Sequence, residues 1–325
     1  MRLFRLFVAM LPCLAIQWSG PARLDVLTEP PNIVAVAIPL DPAAPAKRRV
    51  GVLTYLGGVE LRSHDGTFGG FSSLSVAGDR FTLLSDSGAI VRFRLDGGLR
   101  VSEPWFGQLP AGPGRGWRKE DRDSESMTVD PASGAVWVGF EQWSEIWRYA
   151  PGLRLPAEHA APPAMRDWDS NGGPESLVRL RDGRFLTISE TTRLPGTEAR
   201  EALLFDGDPA AQPDRGFGFG YVPPAGYDPS DVTQLPDGRV LVLNRRLALP
   251  FDWSAVITLV DPNDFKPGAI VTGKAVAVFA SPLNVDNFEG LAVTREGADT
   301  ILWMVSDDNQ FVLQRTLLMK FRVDL

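Results

Sequence analysis

The sequence predicts an all-β fold, and three observations lead to that prediction. The chain contains 32 glycines and 27 prolines among 325 residues, which is typical of a protein with many tight turns. Short stretches of alternating apolar and polar residues lie between these turns, whereas apolar residues at helical spacing are scarce beyond the N-terminus. A sequence pattern that predicts three successive strands also occurs five times along the chain. We predict a β-propeller of five four-stranded blades, with six as the alternative count.

The repeated phrase opens with an acidic or polar residue and continues as a strand, a turn containing Gly or Asp-Gly, a second strand ending in an acidic or polar residue, and a third strand. The copies open at Ser72, Glu125, Glu175, Asp231 and Glu289. Successive openings are 53, 50, 56 and 58 residues apart, which matches one propeller blade with its loops. One unit cannot cover its own apolar faces, so the units are expected to stack in a ring.

Ring closure is predicted from the segment before the first copy. An apolar stretch at 50–61 precedes that copy as the stretch at 275–285 precedes the fifth. We expect this N-terminal strand to join the last blade. A separate unit at 33–40 would make six blades, and a β-sandwich or a two-domain β protein is the alternative fold.

The first 22 residues have the layout of a signal peptide. Arg2 and Arg5 precede an apolar run at 6–16, and this run of about 11 residues is too short to cross a bilayer. We therefore predict export to the periplasm or beyond, an N-terminal extension at 23–49 and a propeller domain at 50–325. The alternatives are lipid attachment at Cys13 and a short apolar element in a cytosolic protein.

The charge balance argues against nucleic acid as a partner. Lysine and arginine number 33 against 40 aspartates and glutamates, a formal net charge of −7, and no basic run is present to follow a phosphate backbone. No later segment is long enough to span a membrane. The expected partner is a small-molecule substrate or ligand.

Carboxylates recur at the openings of the repeats. Because inner strands of a propeller start near one end of the central channel, we expect these side chains to converge there. The set comprises Asp123, Glu125, Glu175, Asp228, Asp231, Asp286 and Glu289, with Asn171 and Asn287 as neutral oxygen donors. Such like charges need compensation, and Ca²⁺ is the cation suited to this ligand type in a chain with two histidines. The predicted metal ligands are Glu125, Glu175, Asp231 and Glu289.

Two alternatives to a metal site stay open. Arginines could compensate the charge, the candidates being Arg122, Arg193, Arg245 and Arg246. The carboxylates could equally accept hydrogen bonds from backbone N–H groups of the neighbouring blade and hold the ring together.

A second acidic or polar set closes the second strands: Asp86, Glu141, Glu190, Asn244, Asp307 and Asp308. If these residues lie at the far end of the hairpin from the openings, most of them are turn or loop acceptors. Asp86 and Glu190, each of which follows a serine, are the ones expected to reach a pocket.

Candidate catalytic residues are Glu175, Glu125 and His64. No G-x-S-x-G motif is present, which argues against a serine nucleophile. His64 precedes the first inner strand and is a candidate general base oriented by Asp65, or is simply solvated. Trp117 and Trp168 are the tryptophans predicted to contact a ligand.

Four segments, at 68–88, 123–141, 172–190 and 287–309, resemble the bacterial "esterase-like activity of phytase" family. They include the phrases FGGFSSLSV, DSESMTVD, GGPESLVRL and NFEGLAVT. The resemblance covers about residues 50–325 and implies an exported propeller with phosphoester or ester hydrolase activity, distantly similar to calcium-dependent propeller phytases. The positions that match are Glu125, Glu175, Glu289, Asp86, Glu141, Glu190 and Asp307. The lysine-bearing phosphate site of those phytases has no equivalent here, which argues against phytate.

Two functions are therefore open. The first is a metal-assisted hydrolase of phosphate or carboxylate esters, in which Ca²⁺ on the channel carboxylates activates water. The second is a non-catalytic propeller that binds a small ligand, a polysaccharide or an envelope protein, with the carboxylates serving structure.

Overall fold

The computed structural model describes residues 26–28, 30–116, 118–248 and 252–325. Within them the chain forms five mainly antiparallel sheets. The innermost strand of each sheet contacts the innermost strands of the two neighbouring sheets, so the sheets form a ring, a five-bladed β-propeller. The predicted all-β class and five blades are confirmed. The predicted signal peptide at 1–22 lies outside the described residues.

Four consecutive strands run outward from the channel in each of the first three blades. The N-terminal strands that precede them are β1 (Val34–Ala37), β2 (Arg49–Val50) and β3 (Leu53–Arg62). The first blade contains β4 (Phe71–Ala77), β5 (Arg80–Ser85), β6 (Ala89–Leu95) and β7 (Val101–Gln108). The second contains β8 (Ser124–Val129), β9 (Val136–Phe140), β10 (Glu145–Tyr149) and β11 (Pro156–Ala160). The third contains β12 (Ser176–Arg179), β13 (Phe185–Arg193), β14 (Arg200–Phe205) and β15 (Gly216–Val222).

The last two blades combine strands that are less regular in chain order. The fourth contains β16 (Asp228–Gln234), β17 (Val240–Ala248), β18 (Asp252–Val260) and β20 (Lys274–Phe279), while β19 (Ile270–Thr272) pairs in parallel with β15 of the third blade. The fifth contains β21 (Asn287–Glu296), β22 (Asp299–Asp307) and β23 (Leu317–Val323), followed by β3 and β1. Single 3₁₀ turns lie at Lys119–Asp121, Pro163–Met165 and Pro262–Asp264. No helix among the described residues is long and apolar enough to cross a bilayer.

The fifth sheet contains strands from both ends of the described chain. β3 pairs antiparallel with β23, with Val59 opposite Leu318. β1 pairs with the other edge of β3, with Val36 opposite Glu60. The segment at 33–40 therefore adds an outer strand to the fifth blade, and the described residues form five sheets.

Apolar side chains fill the space between neighbouring blades. Both faces of a blade are covered, so a middle strand such as β9 is buried at every position. Between the fifth and first blades Trp303 meets Phe81 edge to face, with ring centroids 4.8 Å apart. Burying each large apolar side chain contributes about 1.5–3 kcal/mol, and such clusters lie at every blade interface of the ring.

Pairing of the first two strands of each blade decides where the acidic residues lie. In the fifth blade Asn287 is opposite Asp307, and in the second Ser124 is opposite Phe140. The second strand of each blade thus ends beside the start of the first, at one end of the channel, here called the mouth. The prediction that the second acidic set lies at the far end was wrong, because antiparallel strands place the end of one beside the start of the other.

Candidate functional site

Two triads of carboxylates that share Glu141 lie at the mouth. The first triad is Asp123, Glu125 and Glu141, and the second triad is Glu141, Glu175 and Glu190. In each triad one oxygen atom from every side chain lies within 4.8 Å of the other two. Ca²⁺ binds oxygen atoms at about 2.3–2.6 Å, so two ligands of one ion lie at most about 5 Å apart. The oxygen-only donor set and its spacing fit a hard divalent cation.

The register of the sheets shows that these residues occupy equivalent positions in successive blades. One position lies near the start of the inner strand, and the other lies beside it, on the second strand or directly after that strand. Around the ring, the opening position is Ser72, Glu125, Glu175, Ser230 and Glu289. The second position is Asp86, Glu141, Glu190, Arg245 and Asp307. The fourth blade thus has serine and arginine where the second, third and fifth blades each have two carboxylates.

Asp231 was predicted to open the fourth copy, and this assignment is off by one residue. Asp231 is opposite Leu243, as Ser126 is opposite Gly139, so Ser230 is the residue equivalent to Glu125. Adjacent residues of a strand face opposite sides. The Asp231 carboxylate accordingly accepts backbone hydrogen bonds from Val232 at 2.7 Å and from Leu291 of the fifth blade at 2.6 Å. For Asp231, these contacts match the alternative in which a carboxylate accepts backbone hydrogen bonds and holds neighbouring blades together.

Burial and mutual repulsion raise the proton affinity of the triads. Glu175 and Glu141 are 4% and 8% exposed. Burial, with the Asp123 charge, raises the pKa of Glu141 to about 7. Burial also raises the pKa of Glu125 and of Glu175 well above their usual value, and the charges of Asp123 and of Glu190, respectively, add to these shifts. Without a cation these groups must share protons near neutral pH.

Two cationic side chains compensate the carboxylates next to the first triad. Lys119 Nζ lies 2.5 Å from Asp86 Oδ2. Arg245 contacts Glu190 Oε1 at 2.6 Å and Glu289 Oε1 at 3.0 Å. Burial alone would lower the pKa of Arg245, but Glu289 and Glu190 raise it well above its usual value. Among the described residues, no lysine or arginine nitrogen lies within ion-pair distance of the first triad.

Two glycines let the backbone pass close to these side chains. Gly70 has φ +64°, and a Cβ atom there would lie 2.7 Å from Asp86 Oδ1. Gly173 precedes the third inner strand, and a Cβ atom there would lie 3.0 Å from the Glu141 carbonyl oxygen. A side chain at either position would collide with the acidic residues of the mouth. The two Gly-Gly pairs therefore leave room for these carboxylates.

Other predicted residues lie outside the triads. Asp228 pairs with Arg200, and Asp286 accepts backbone hydrogen bonds from Asn287 and Arg315. Asn244 is buried in the fourth blade. Its Nδ2 donates to two backbone carbonyls, and its Oδ1 accepts from Tyr221. Of the four proposed arginines, Arg245 reaches the carboxylates, whereas Arg122, Arg193 and Arg246 contact Pro113, Glu198 and Tyr227, respectively.

His64 is exposed on the loop before β4. Its backbone N–H donates to Asn32 Oδ1 at 2.9 Å. Both Asp65 oxygens accept hydrogen bonds, from Thr28 and from Thr67, so this carboxylate holds its own loop. Trp168 is buried and donates to Glu201 at 2.9 Å, and Trp117 lies outside the described residues.

Sequence reasoning missed the roles of Glu141 and Lys119. Glu141 was assigned to the far end of the hairpin, although antiparallel pairing alone would have placed it at the mouth. Lys119 lies in a 3₁₀ turn outside the repeated phrase, so no equivalent position pointed to it.

Similar proteins were found at the level of structure and of family. The chain is similar to glutaminyl cyclase of Myxococcus xanthus (TM-score 0.45, 12% identity, covering 78% of this chain and 91% of that one). It is also similar to a chain of a nidogen/laminin complex (0.42, 10%, 83% and 95%) and to hydrazine synthase of Kuenenia stuttgartiensis (0.40, 10%, 77% and 60%). The chain thus spans less than two thirds of the hydrazine synthase chain.

No curated protein matches the sequence. The model of the phytase-like family, described as "Esterase-like activity of phytase", matches residues 66–310. This match covers most of the chain and includes both triads. The chain therefore belongs to the phytase-like family.

Proposed function

We propose that this protein is an exported, Ca²⁺-dependent hydrolase of ester bonds, phosphoric or carboxylic, and that its metal centre is the first triad. The observation that carries the proposal is the convergence of three carboxylate oxygens within 4.8 Å of one another at the channel mouth. Such an arrangement is costly without a cation, because three closely spaced and partly or fully buried like charges repel one another.

Charge compensation favours the first triad over the second. Glu190 of the second triad already pairs with Arg245 at 2.6 Å. The oxygens of Asp123, Glu125 and Glu141 have no such ion pair among the described residues. A divalent cation therefore neutralises more uncompensated charge at the first triad.

The surrounding side chains are arranged to support ester hydrolysis. A bound Ca²⁺ would act as a Lewis acid toward the ester oxygen. Glu175 and Glu141 have carboxylate oxygens within 4.8 Å of each other. Once a bound cation displaces the proton that burial favours on Glu175, this carboxylate would accept the proton of the attacking water. Lys119 and Arg245 lower the negative charge of the mouth, which allows an anionic ester to approach. His64 stays a prediction for a general base.

The experiment compares turnover and melting in the leader-free protein. After EDTA dialysis, hydrolysis of p-nitrophenyl phosphate and p-nitrophenyl acetate is measured with and without millimolar Ca²⁺. Ca²⁺ should restore turnover of one substrate and raise the Tm. Glu125→Gln and Glu175→Gln should lose turnover while staying folded, and His64→Ala tests the exposed histidine. Glu158→Gln on the outer strand β11 is the matched control. The absence of Ca²⁺-dependent turnover of either ester would contradict the proposal.

A non-catalytic binding propeller is the second candidate. The observation that favours it is the use of polar side chains as ties between blades, as in Asp231 with Leu291 and Ser126 with Pro174. On this alternative Ca²⁺ raises the Tm without turnover of any ester, and Glu175→Gln changes stability alone.

Export is part of the proposal and is supported by the charge and apolar pattern of residues 1–22. Expression of the full chain in a Gram-negative host should yield a periplasmic protein whose mass lacks about 22 residues. A full-length cytoplasmic product would contradict export and leave the proposed chemistry untouched.

A further inference from the structure

Trp143 stands at the mouth with its ring open to solvent. It lies in the turn between β9 and β10, directly after Glu141 and Gln142, and is 47% exposed. Its indole Nε1 donates to the Glu120 carbonyl oxygen at 3.2 Å. This bond holds the polar edge of the ring, so an apolar face is left in a fixed place. Exposed aromatic rings held in this way commonly contact ligands.

Two clefts include this ring in their lining. One has a volume of about 450 Å³ and includes Gln142, Trp143 and Arg166 in its lining. The other has a volume of about 470 Å³ and is lined by Trp143, Arg115 and Arg118 among others. Each volume is within the range of small-molecule sites. Trp143 is the wall that both clefts share.

The rim of the clefts is positively charged in a chain with a net negative charge. Arg115, Arg118 and Arg166 are exposed, and no acceptor for their guanidinium groups lies within hydrogen-bond distance among the described residues. Asp121 also lines the second cleft and accepts the Arg115 backbone N–H at 3.2 Å. Unpaired guanidinium groups bind phosphate or carboxylate through paired N–H donors.

Each cleft is lined by residues that are close in the chain to the first triad. Gln142, in the lining of the first cleft, directly follows Glu141 in the chain, and its Nε2 donates to Asn171 Oδ1 at 3.1 Å. Asp121, in the lining of the second, is two residues from Asp123. Because Trp143, which lines both clefts, is two residues from Glu141, a molecule in either cleft would lie near the proposed metal centre.

We infer that the clefts around Trp143 form the subsite that selects the substrate, and that this substrate is a phosphoester of a planar aromatic alcohol. The ring stacks on Trp143, and the arginines of the rim hold the phosphate in the negatively charged mouth. This inference rests on the proposed function for the reaction, but the recognition it describes is measurable without turnover.

The test is calorimetric binding of 1-naphthyl phosphate and methyl phosphate to the leader-free protein in EDTA. The unaltered protein should bind 1-naphthyl phosphate about tenfold more tightly. Trp143→Ala should abolish that preference and leave methyl phosphate binding unchanged. Trp105→Ala is the matched control, because Trp105 is 43% exposed on the outer strand β7 and lies 4.7 Å from the Arg92 guanidinium.

The arginines are tested separately. Arg115→Ala with Arg118→Ala should weaken binding of both phosphates at least fivefold, whereas Arg100→Ala, which removes an exposed arginine paired with Asp96, should not. Trp143→Phe should keep most of the preference for 1-naphthyl phosphate over methyl phosphate. This variant keeps an aromatic ring and so distinguishes loss of the ring from misfolding of the alanine variant.

Equal affinities for the two phosphates, or a preference that survives in folded Trp143→Ala, would overturn the subsite. A Trp143-dependent preference without Ca²⁺-dependent turnover would support the subsite and contradict the hydrolase. Turnover of naphthyl and methyl phosphates with equal KM would support the hydrolase and contradict the subsite.

Discussion

The second and fourth blades place different side chains at the same two positions of the ring. The second presents Glu125 and Glu141, and the fourth presents Ser230 and Arg245. Glu141 adds to a group of mutually repelling carboxylates, while Arg245 pairs with Glu190 and Glu289. The fourth blade thus supplies a counter-ion to its neighbours, and the uncompensated negative charge is concentrated at the second blade.

This contrast shows that an acidic residue at a blade opening is not sufficient to identify a metal ligand. Glu289 and Glu125 are equivalent in the ring, but Glu289 is neutralised by Arg245 and also accepts a hydrogen bond from Asn287 at 2.7 Å. What distinguishes the first triad is the lack of an ion pair among the described residues, although the nearby Lys119 charge partly offsets the effect of burial, which raises the pKa of Asp123 and Glu125. Substitutions that exchange or remove these partners should therefore have predictable and different effects.

The largest effect is expected from Glu125→Gln. Loss of one carboxylate from the first triad should lower Ca²⁺-dependent kcat/KM by about 100-fold or more, because transition-state charge loses its cation. Ser230→Ala changes the equivalent position of the fourth blade and should keep kcat/KM within about twofold. Steady-state kinetics at saturating Ca²⁺ would check both values. Equal losses in the two variants would contradict a specific role for the second blade.

Arg245→Met should destabilise the metal-free protein by about 3 kcal/mol, because it leaves Glu190 and Glu289 buried without their cation. Urea unfolding in EDTA measures this difference. Ca²⁺ should restore more stability in this variant than in the unaltered protein, because further carboxylates become available to a cation. A neutral effect in EDTA would show that Arg245 is not the counter-ion of the ring.

Asp231→Ala should lower the free energy of unfolding by about 2 kcal/mol, because the N–H groups of Val232 and Leu291 lose a buried acceptor. Its Ca²⁺ affinity should stay within twofold of the unaltered protein, since the Asp231 carboxylate belongs to neither triad. Urea unfolding and calcium titration of the same sample provide the two values. A large loss of Ca²⁺ affinity with little loss of stability would instead show that Asp231 is a metal ligand.

The stability of the metal-free protein should also depend on pH. Burial, with neighbouring charges, raises the pKa of Glu141 to about 7 and that of Asp307 to about 8. The folded protein therefore binds these protons more tightly than the unfolded chain. The resulting stability is complete below about pH 4 and is lost as the pH rises through 7 to 8.

Thermal melts in EDTA should accordingly show a lower Tm at pH 8.5 than at pH 5.5. Saturating Ca²⁺ should reduce the difference, because the cation replaces the protons. Glu141→Gln should also reduce it. A Tm that rises from pH 5.5 to pH 8.5 in EDTA would contradict the raised pKa values of Glu141 and Asp307.

The fold could be predicted from the sequence because alternation, turn chemistry and repeat spacing are local properties. The convergence of Glu125 and Glu175 followed from the same repeat. Arg245 was one of four arginines named as possible counter-ions, but its position in the fourth blade, equivalent to that of Glu141 in the second, did not follow, because the fourth copy contains acidic Asp231 one residue beyond the equivalent position. A shift of one residue reverses the side of the strand that a side chain faces, and the sheet register resolves such a shift where sequence similarity does not.

The most direct test of the central claim is calorimetric titration of Ca²⁺ into the EDTA-dialysed, leader-free protein near pH 7, compared with Glu125→Gln and Glu289→Gln. We predict one Ca²⁺ per chain, bound with release of protons from the triads. Affinity should fall at least tenfold in Glu125→Gln and stay within threefold in Glu289→Gln. No binding, or an equal loss in both variants, would contradict a metal centre at the second blade.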